Sequence, residues 1–122
     1  MYEYNSRVIK VVDGDTLDIE IDLGFDVTIK QRVRLNGIDT PETKTKNKEE
    51  KLAGLRAKKI TEDCVKGAKI VVVKTHKDDK YGRILVDLIA DGINLNERLV
   101  NEGFAWKYDG GTKDKDLTQL VS

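Results

Sequence analysis

Three short stretches carry side chains that could do chemistry together: DGDT at 13–16, GIDTPET at 37–43 and DKYGR at 79–83. They supply carboxylates at Asp15, Asp39 and Glu42 and a guanidinium at Arg83, and Arg34 adds a second guanidinium just before the second stretch. Taken singly, each stretch is a turn or loop. Asp and Gly favour tight turns, Pro41 keeps Thr40 extended, and Gly82 suits a positive φ. Taken together, they are the set that phosphodiester hydrolysis demands. The substrate is an anion that repels hydroxide, and its transition state gathers charge on the equatorial and leaving oxygens. A divalent cation held by carboxylates offsets part of that charge and orients water. Arginine clamps phosphate through two parallel hydrogen bonds, and a carboxylate not engaged by the cation can position or deprotonate the water. Other chemistries fit less well. His76 is the only histidine, which removes His-based metal triads and paired-His acid–base schemes, and no glycine-rich loop matches a nucleotide-binding fingerprint.

The elements that must position these residues can be read from periodicity. Apolar–polar alternation predicts strands over 7–12, 15–23, 27–35, 69–75 and 83–90. Apolar spacing predicts a helix over 48–66, with Ala53, Ala57, Ile60 and Cys64 on one stripe, and a shorter helix over 95–102. Asn47 with Glu50 and Asn94 with Glu97 have the spacing of N-cap pairs. Gly67 is expected at C′ of the first helix and Gly103 at the end of the second, and Asp91-Gly92 reads as a turn. In the hairpin of the second and third strands, hydrophobicity and charge select one register independently. It sets Leu17 opposite Val33, Ile21 opposite Ile29, Asp18 opposite Arg32 and Glu20 opposite Lys30.

That register sets Thr16 opposite Arg34, which predicts Asp15 and Arg34 at one end of the hairpin but on opposite faces. Asp15 would share the inward parity of Leu17 and Ile19. Five strands with a helix between the third and fourth predict a β-barrel with helices, an α+β OB-fold with a five-stranded, partly open barrel and two to three helices. At the mouth of such a barrel Asp15 could keep core parity and still touch water. Arg34 would face outward, on the wall where OB-folds bind nucleic acid.

Bulk properties narrow the setting. A chain of 122 residues suits one domain spanning 1–122, with its core over about 7–108 and a tail, 109–122, read as mobile. Net charge is zero, so the molecule as a whole is not steered toward polyanions, but residues 1–42 carry −4, residues 43–80 carry +6 and residues 81–122 carry −2. The basic middle is either a solvated helix surface or a phosphate-binding flank beside a cation site. The single cysteine, Cys64, excludes an intramolecular disulfide and a cysteine-based metal cluster. No stretch is long and apolar enough to span a membrane. The start, MYEYNSRVIKVV, has no apolar signal core and reads as cytoplasmic, although a secreted protein trimmed of its leader would read the same.

The order DGDT, then RLxxIDTPE, then DKYGR, followed by ADG…NxxLVxxG at 90–103, resembles the staphylococcal nuclease (thermonuclease) family over about residues 7–106. The resemblance implies a monomeric, calcium-dependent nuclease acting on DNA or RNA, in which water attacks phosphorus and a 3′-phosphate end remains. Asp15, Asp39 and the backbone carbonyl of Thr40 would hold the calcium ion, and Glu42 would act as general base or water-orienting residue. Arg34 and Arg83 would bind the scissile phosphate, and Lys80 and Tyr81 a terminal phosphate. Asp13 would be a turn residue behind the site. From ligand chemistry alone Mg²⁺ is as plausible as Ca²⁺; the resemblance selects calcium. The chain departs from the secreted staphylococcal enzyme in a longer hairpin between DGDT and DTPE and in having only DLTQL, 116–120, where that enzyme has a full helix. Tyr108 is placed with the substrate-binding residues by nearness in sequence, and both Trp106 and Tyr108 could be core or lid. The alternative reading is a non-catalytic nucleic-acid-binding OB-fold module.

Overall fold

The computed structural model describes residues 2–76, 82–108 and 116–121. Strand β1 (Glu3–Asp13) runs into β2 (Thr16–Asp22) and β3 (Thr28–Leu35) as a meander, and the short β4 (Ile38–Asp39) follows. Helix α1 (Lys48–Lys66) leads to β5 (Val71–Thr75), β6 (Ile84–Ala90) and the two-residue β7 (Ile93–Asn94). Helix α2 (Leu95–Asn101), β8 (Trp106–Lys107) and a 3-10 turn over Leu117–Gln119 complete the chain.

The strand order β3-β2-β1-β5-β6 closes on itself, because β6 also pairs with β3. That closing pair is parallel and joins Val33 to Ile84, Arg34 to Leu85 and Leu35 to Val86. The result is the five-stranded OB-type barrel expected from the sequence. The β2–β3 register is also the expected one, from Thr16 opposite Arg34 to Asp22 opposite Thr28. Strand β1 starts earlier than its alternation suggested, because Glu3–Ser6 pair with β5, a partner distant in sequence. Register shifts between Val8 and Lys10 and between Val11 and Asp13 change which residues of β1 face inward. Ile9 is left exposed and Val11 buried, and the strand bends just ahead of DGDT.

Leu17, Ile19, Val33, Leu35, Val73, Val86, Leu88, Leu95 and Leu99 form the centre of one core, each essentially fully buried. Each such side chain contributes on the order of 1.5–3 kcal/mol through burial. Helix α1 has its expected bounds, and the Asn47 side chain accepts from Glu50 N; Asn94 caps α2 through Glu97 N in the same way. Gly67 corrects the expectation of a left-handed C′ glycine. It is the C-cap, at φ −83°, a conformation open to any residue. Gly103, at φ 82°, does take the left-handed form after α2. Residues 116–121, counted with the tail in the sequence, pack back on the end of α2. The Val121 N–H donates to Gly103 O, and Trp106 Nε1 donates to Asp116 O. Among the described residues no helix is long and apolar enough to cross a membrane.

Candidate active site

The site forms where the open end of the β2–β3 hairpin, at Thr16 and Arg34, meets the 38–43 loop. Asp15 lies in the turn between β1 and β2 and is not itself a strand residue. It therefore escapes the parity of Leu17 and Ile19 and leans toward Arg34. The sequence expectation of opposite faces is corrected: Arg34 Nη2 donates to Asp15 Oδ2 at 3.3 Å and to Asp39 Oδ1 at 2.9 Å. The same nitrogen reaches Ile38 O at 3.4 Å. The expected outward arginine is also corrected. Arg34 keeps its register opposite Thr16, but Asp15, Asp39 and Tyr108 cover it and it is only 9% exposed. Tyr108 lies under the guanidinium, with Arg34 Cζ 5.4 Å from its ring centroid, a cation–π contact.

Asp39 is brought to this spot by the β4–β8 pairing, which sets it opposite Trp106, while Tyr108 N donates to Gly37 O. Two-residue strands have too little alternation to be read from sequence, so this tie was invisible there. Thr40 N donates to Asp15 Oδ2 at 3.1 Å, and Thr16 Oγ1 donates to Asp15 Oδ1 at 3.0 Å. Even so, the Asp15 carboxyl is held above its ordinary range. Burial is the largest cause; Arg34 and the Thr40 N–H oppose it, and the neighbouring Asp39 carboxylate adds to it. Two buried carboxylates thus face one guanidinium, a deficit of positive charge, and Thr40 Oγ1 beside them is buried without a hydrogen-bond partner.

These features fit a cation seat of oxygen ligands. Among the described residues no three His, Cys, Asp or Glu side chains gather as a metal cluster. The chain therefore offers two carboxylates and the oxygens of Thr40, a set suited to a hard cation that completes its shell with water and substrate oxygens.

Glu42 follows Pro41 on the same loop and is exposed to solvent. Arg83, also exposed, shares a cavity of about 240 Å³ with Arg34, walled by Thr16, Gln31, Arg32 and Val33. Both arginines thus border one space against the barrel wall. Lys80 and Tyr81 lie outside the described residues. Trp106 is buried opposite Asp39 on β8, and Tyr108 stacks on the Arg34 guanidinium.

The sequence reading missed the residues that lock the two acidic loops in place. Gly14 packs against Ala57 and Thr40, and a Cβ there would stand 2.9 Å from Ala57 Cβ and 3.0 Å from Thr40 Cγ2. Gly54 packs against the 41–42 backbone, and a Cβ there would stand 2.6 Å from Glu42 O. Thr61 Oγ1 donates to Gly14 O at 2.7 Å, and Thr43 Oγ1 donates to Asp13 Oδ1. Asn96, buried in the first turn of α2, donates from Nδ2 to Asn36 O and Val86 O and accepts from Leu88 N, which fixes the turn ahead of β4. One signal was available: a glycine inside a helix costs about 1 kcal/mol relative to alanine, so Gly54 implied a close backbone approach.

Comparison with known proteins places this arrangement in a lineage. The family model described as staphylococcal nuclease homologue matches residues 32–122, a span that holds Arg34, Asp39, Glu42 and Arg83 and begins after Asp15. A protein of Escherichia coli named an uncharacterized endonuclease is 34% identical over 119 residues, covering 97% of this chain and 70% of that protein. The SPbeta prophage-derived endonuclease YokF of Bacillus subtilis is 35% identical over 109 residues, covering 85% of this chain but 35% of its own length. An uncharacterized protein of Methanocaldococcus jannaschii is 32% identical over 136 residues, covering 93% of this chain and 63% of that protein. The chain belongs to the staphylococcal nuclease homologue family.

Proposed function

We propose that this chain is a calcium-dependent phosphodiesterase that hydrolyses DNA, and RNA as a second substrate, leaving 3′-phosphate ends. The observation that carries the proposal is the meeting of Asp15 and Asp39 at one guanidinium nitrogen, beside an unpartnered threonine hydroxyl, in a family whose named relatives include endonucleases. Asp15, Asp39 and Thr40 would hold the cation. When bound, a cation in such a seat supplies charge neutralisation at the phosphate and orientation of water.

The chain's own residues account for the rest. The Arg34 bonds described above all leave from Nη2, so its remaining N–H groups can grip a phosphate oxygen from the cavity it shares with Arg83. Glu42, exposed on the loop that carries Asp39 and Thr40, takes a proton from the attacking water as the water oxygen bonds to phosphorus. The bond from phosphorus to the 5′ oxygen breaks, and that oxygen gains a proton from solvent. Arg83, bordering the same cavity, stabilises the charge that gathers on the phosphorane oxygens.

The test is incubation with a single-stranded DNA oligonucleotide in calcium, in magnesium and with chelator, followed by identification of the phosphate-bearing end. Cleavage in calcium that stops on chelation and leaves a 3′-phosphate supports the proposal. Retention of the oligonucleotide in a gel shift with no product in any cation would overturn it in favour of a binding module.

A further inference from the structure

Helix α1 touches both acidic loops, at separate points along its buried face. Toward its C-terminal half, Thr61 is fully buried and its hydroxyl donates to Gly14 O at 2.7 Å, while Ala57 packs against Gly14 itself. Gly14 adjoins Asp15. Toward its N-terminal half, Gly54 lets the helix backbone approach the carbonyls of Pro41 and Glu42. A Cβ there would lie 2.7 and 2.6 Å from them, and the obstruction would be backbone, which cannot swing aside. One turn earlier, Glu50 Oε1 accepts from Glu42 N at 3.4 Å. Neither glycine is there for a left-handed conformation, since the positive-φ glycines are Gly24, Gly37, Gly82, Gly92 and Gly103. Both are there for space.

We infer that α1 is a two-armed positioning element whose Thr61 arm sets Asp15, and so cation binding, while its Gly54–Glu50 arm sets Glu42, and so the chemical step. The inference rests on the nuclease reading above and adds to it the separability of the two arms. The reason is geometric. A helix is stiff, so a disturbance at residue 61 reaches Asp15 through Gly14 but leaves the contact at residue 54, two turns away, in register. Misplacement of a reacting group by about 1 Å costs on the order of 100-fold in rate. Lost orientation of a ligand by its supporting partner costs about 10–100-fold in metal affinity. Thr61, Gly54 and Glu50 touch neither substrate nor cation, so all three are positioning residues.

The experiment uses Thr61→Val, Thr61→Ser, Gly54→Ala and Glu50→Ala in the full chain. Calcium affinity is read by calorimetry and by the calcium-induced rise in melting temperature, and kcat is read on single-stranded DNA at saturating calcium. T61V is expected to weaken calcium binding about tenfold with kcat preserved within about twofold, and T61S to restore binding by returning the hydroxyl. G54A is expected to lower kcat by on the order of 100-fold, while calcium affinity, reached only through Thr40 beside Pro41, changes by less than about tenfold. E50A, at the more exposed end of the helix, is expected to do the same more mildly, and it keeps the second arm testable if G54A does not fold. A merely structural helix would lower the melting temperature in every variant and move both parameters together, or neither, and that outcome overturns the inference while wild-type cleavage still stands. A wild type that neither binds calcium nor cleaves overturns the nuclease reading and the inference with it.

Discussion

The two ends of the β2–β3 hairpin invert the usual rule of burial. At the open end, where Thr16 faces Arg34, Asp15, Arg34 and Asp39 are buried together, while at the turn that closes the hairpin Leu23, Phe25 and Val27 stand in solvent, Phe25 fully so. The same two strands, in one unbroken register, join these ends. The difference lies in what covers them. The open end is roofed by the 38–43 loop, β8 and Tyr108, tied down by the β4–β8 pairing and the Thr40 N–H bond to Asp15. At the turn, Gly24, Phe25 and Asp26 all hold positive φ. Burying charge is expensive, so a fold that builds a roof over three ionised groups and leaves its apolar tip bare has been shaped by something other than stability.

The largest expected effect breaks the buried end. Arg34→Met leaves Asp15 and Asp39 facing each other without their shared cation, and loss of one partner from a buried ion pair costs about 3–5 kcal/mol. Urea denaturation should show that loss, and added calcium should recover part of it, because a ligand binding only the folded state stabilises it by mass action. Undiminished stability would mean that the cluster is wetter than its burial implies. Next comes Arg83→Ala. It should cost about 2.7–4 kcal/mol of transition-state stabilisation, the scale of losing one charge-stabilising donor, with stability within about 0.5 kcal/mol of wild type because the side chain is exposed. Near-normal kcat/KM would remove Arg83 from the chemistry.

Asp15 sharpens the comparison through pH. Its carboxyl sits above the ordinary value, chiefly through burial, so the folded state holds this proton more tightly than the unfolded chain does. The stability from that proton is complete below the unfolded value near 3.8 and is lost as pH rises through the folded one. In calcium-free buffer, Asp15→Asn should therefore be the more stable protein at neutral pH and should lack this downward slope above pH 4. Calcium should raise the melting temperature of the wild type and leave D15N unmoved. A D15N variant less stable than wild type at pH 7 without calcium would show that the Arg34 and Thr40 contacts outweigh the burial cost.

How much of this was legible in the sequence follows from which forces are local. The hairpin register was, because Leu17–Val33 and Ile21–Ile29 pair apolar side chains while Asp18–Arg32 and Glu20–Lys30 pair opposite charges across adjacent strands. Both helix caps were, because Asn47 and Asn94 reach only three residues ahead. The identities of the candidate site residues were legible as motifs, but their mutual geometry was not. Parity placed Asp15 inward because it treats position 15 as strand, whereas the turn at 14–15 frees that side chain to meet Arg34. The roof over Arg34 depends on β4 and β8, strands of two residues each whose partners are 67 or more positions apart. No local pattern announces such a tie.

The smallest effects lie at the hairpin turn and along the wall. Phe25, at φ 54°, holds a left-handed conformation that costs an ordinary side chain roughly 1–2 kcal/mol. Phe25→Asn, which tolerates it better, should stabilise the chain by no more than about 1 kcal/mol in urea melts, since the ring it removes is fully exposed. Destabilisation would show that the ring has a packing partner in solution.

Smaller still is the ion pair two rungs along from Arg34. Arg32 donates to both oxygens of Asp18, at 2.8 and 3.2 Å, against 2.9 and 3.3 Å for the bonds from Arg34 Nη2 to Asp39 and Asp15. Yet it stands in solvent, where water competes for each group and salt screens the pair. A double-mutant cycle on Asp18→Ala and Arg32→Ala should give a coupling that vanishes in about 1 M salt, where the screening length falls to about 3 Å. The Arg34 cluster, shielded by its roof, should keep its coupling to Asp39 under the same conditions. Should the two cycles respond to salt alike, the roof would not be excluding water, and the proposed cation seat beneath it would lose the low-polarity setting that argues for it.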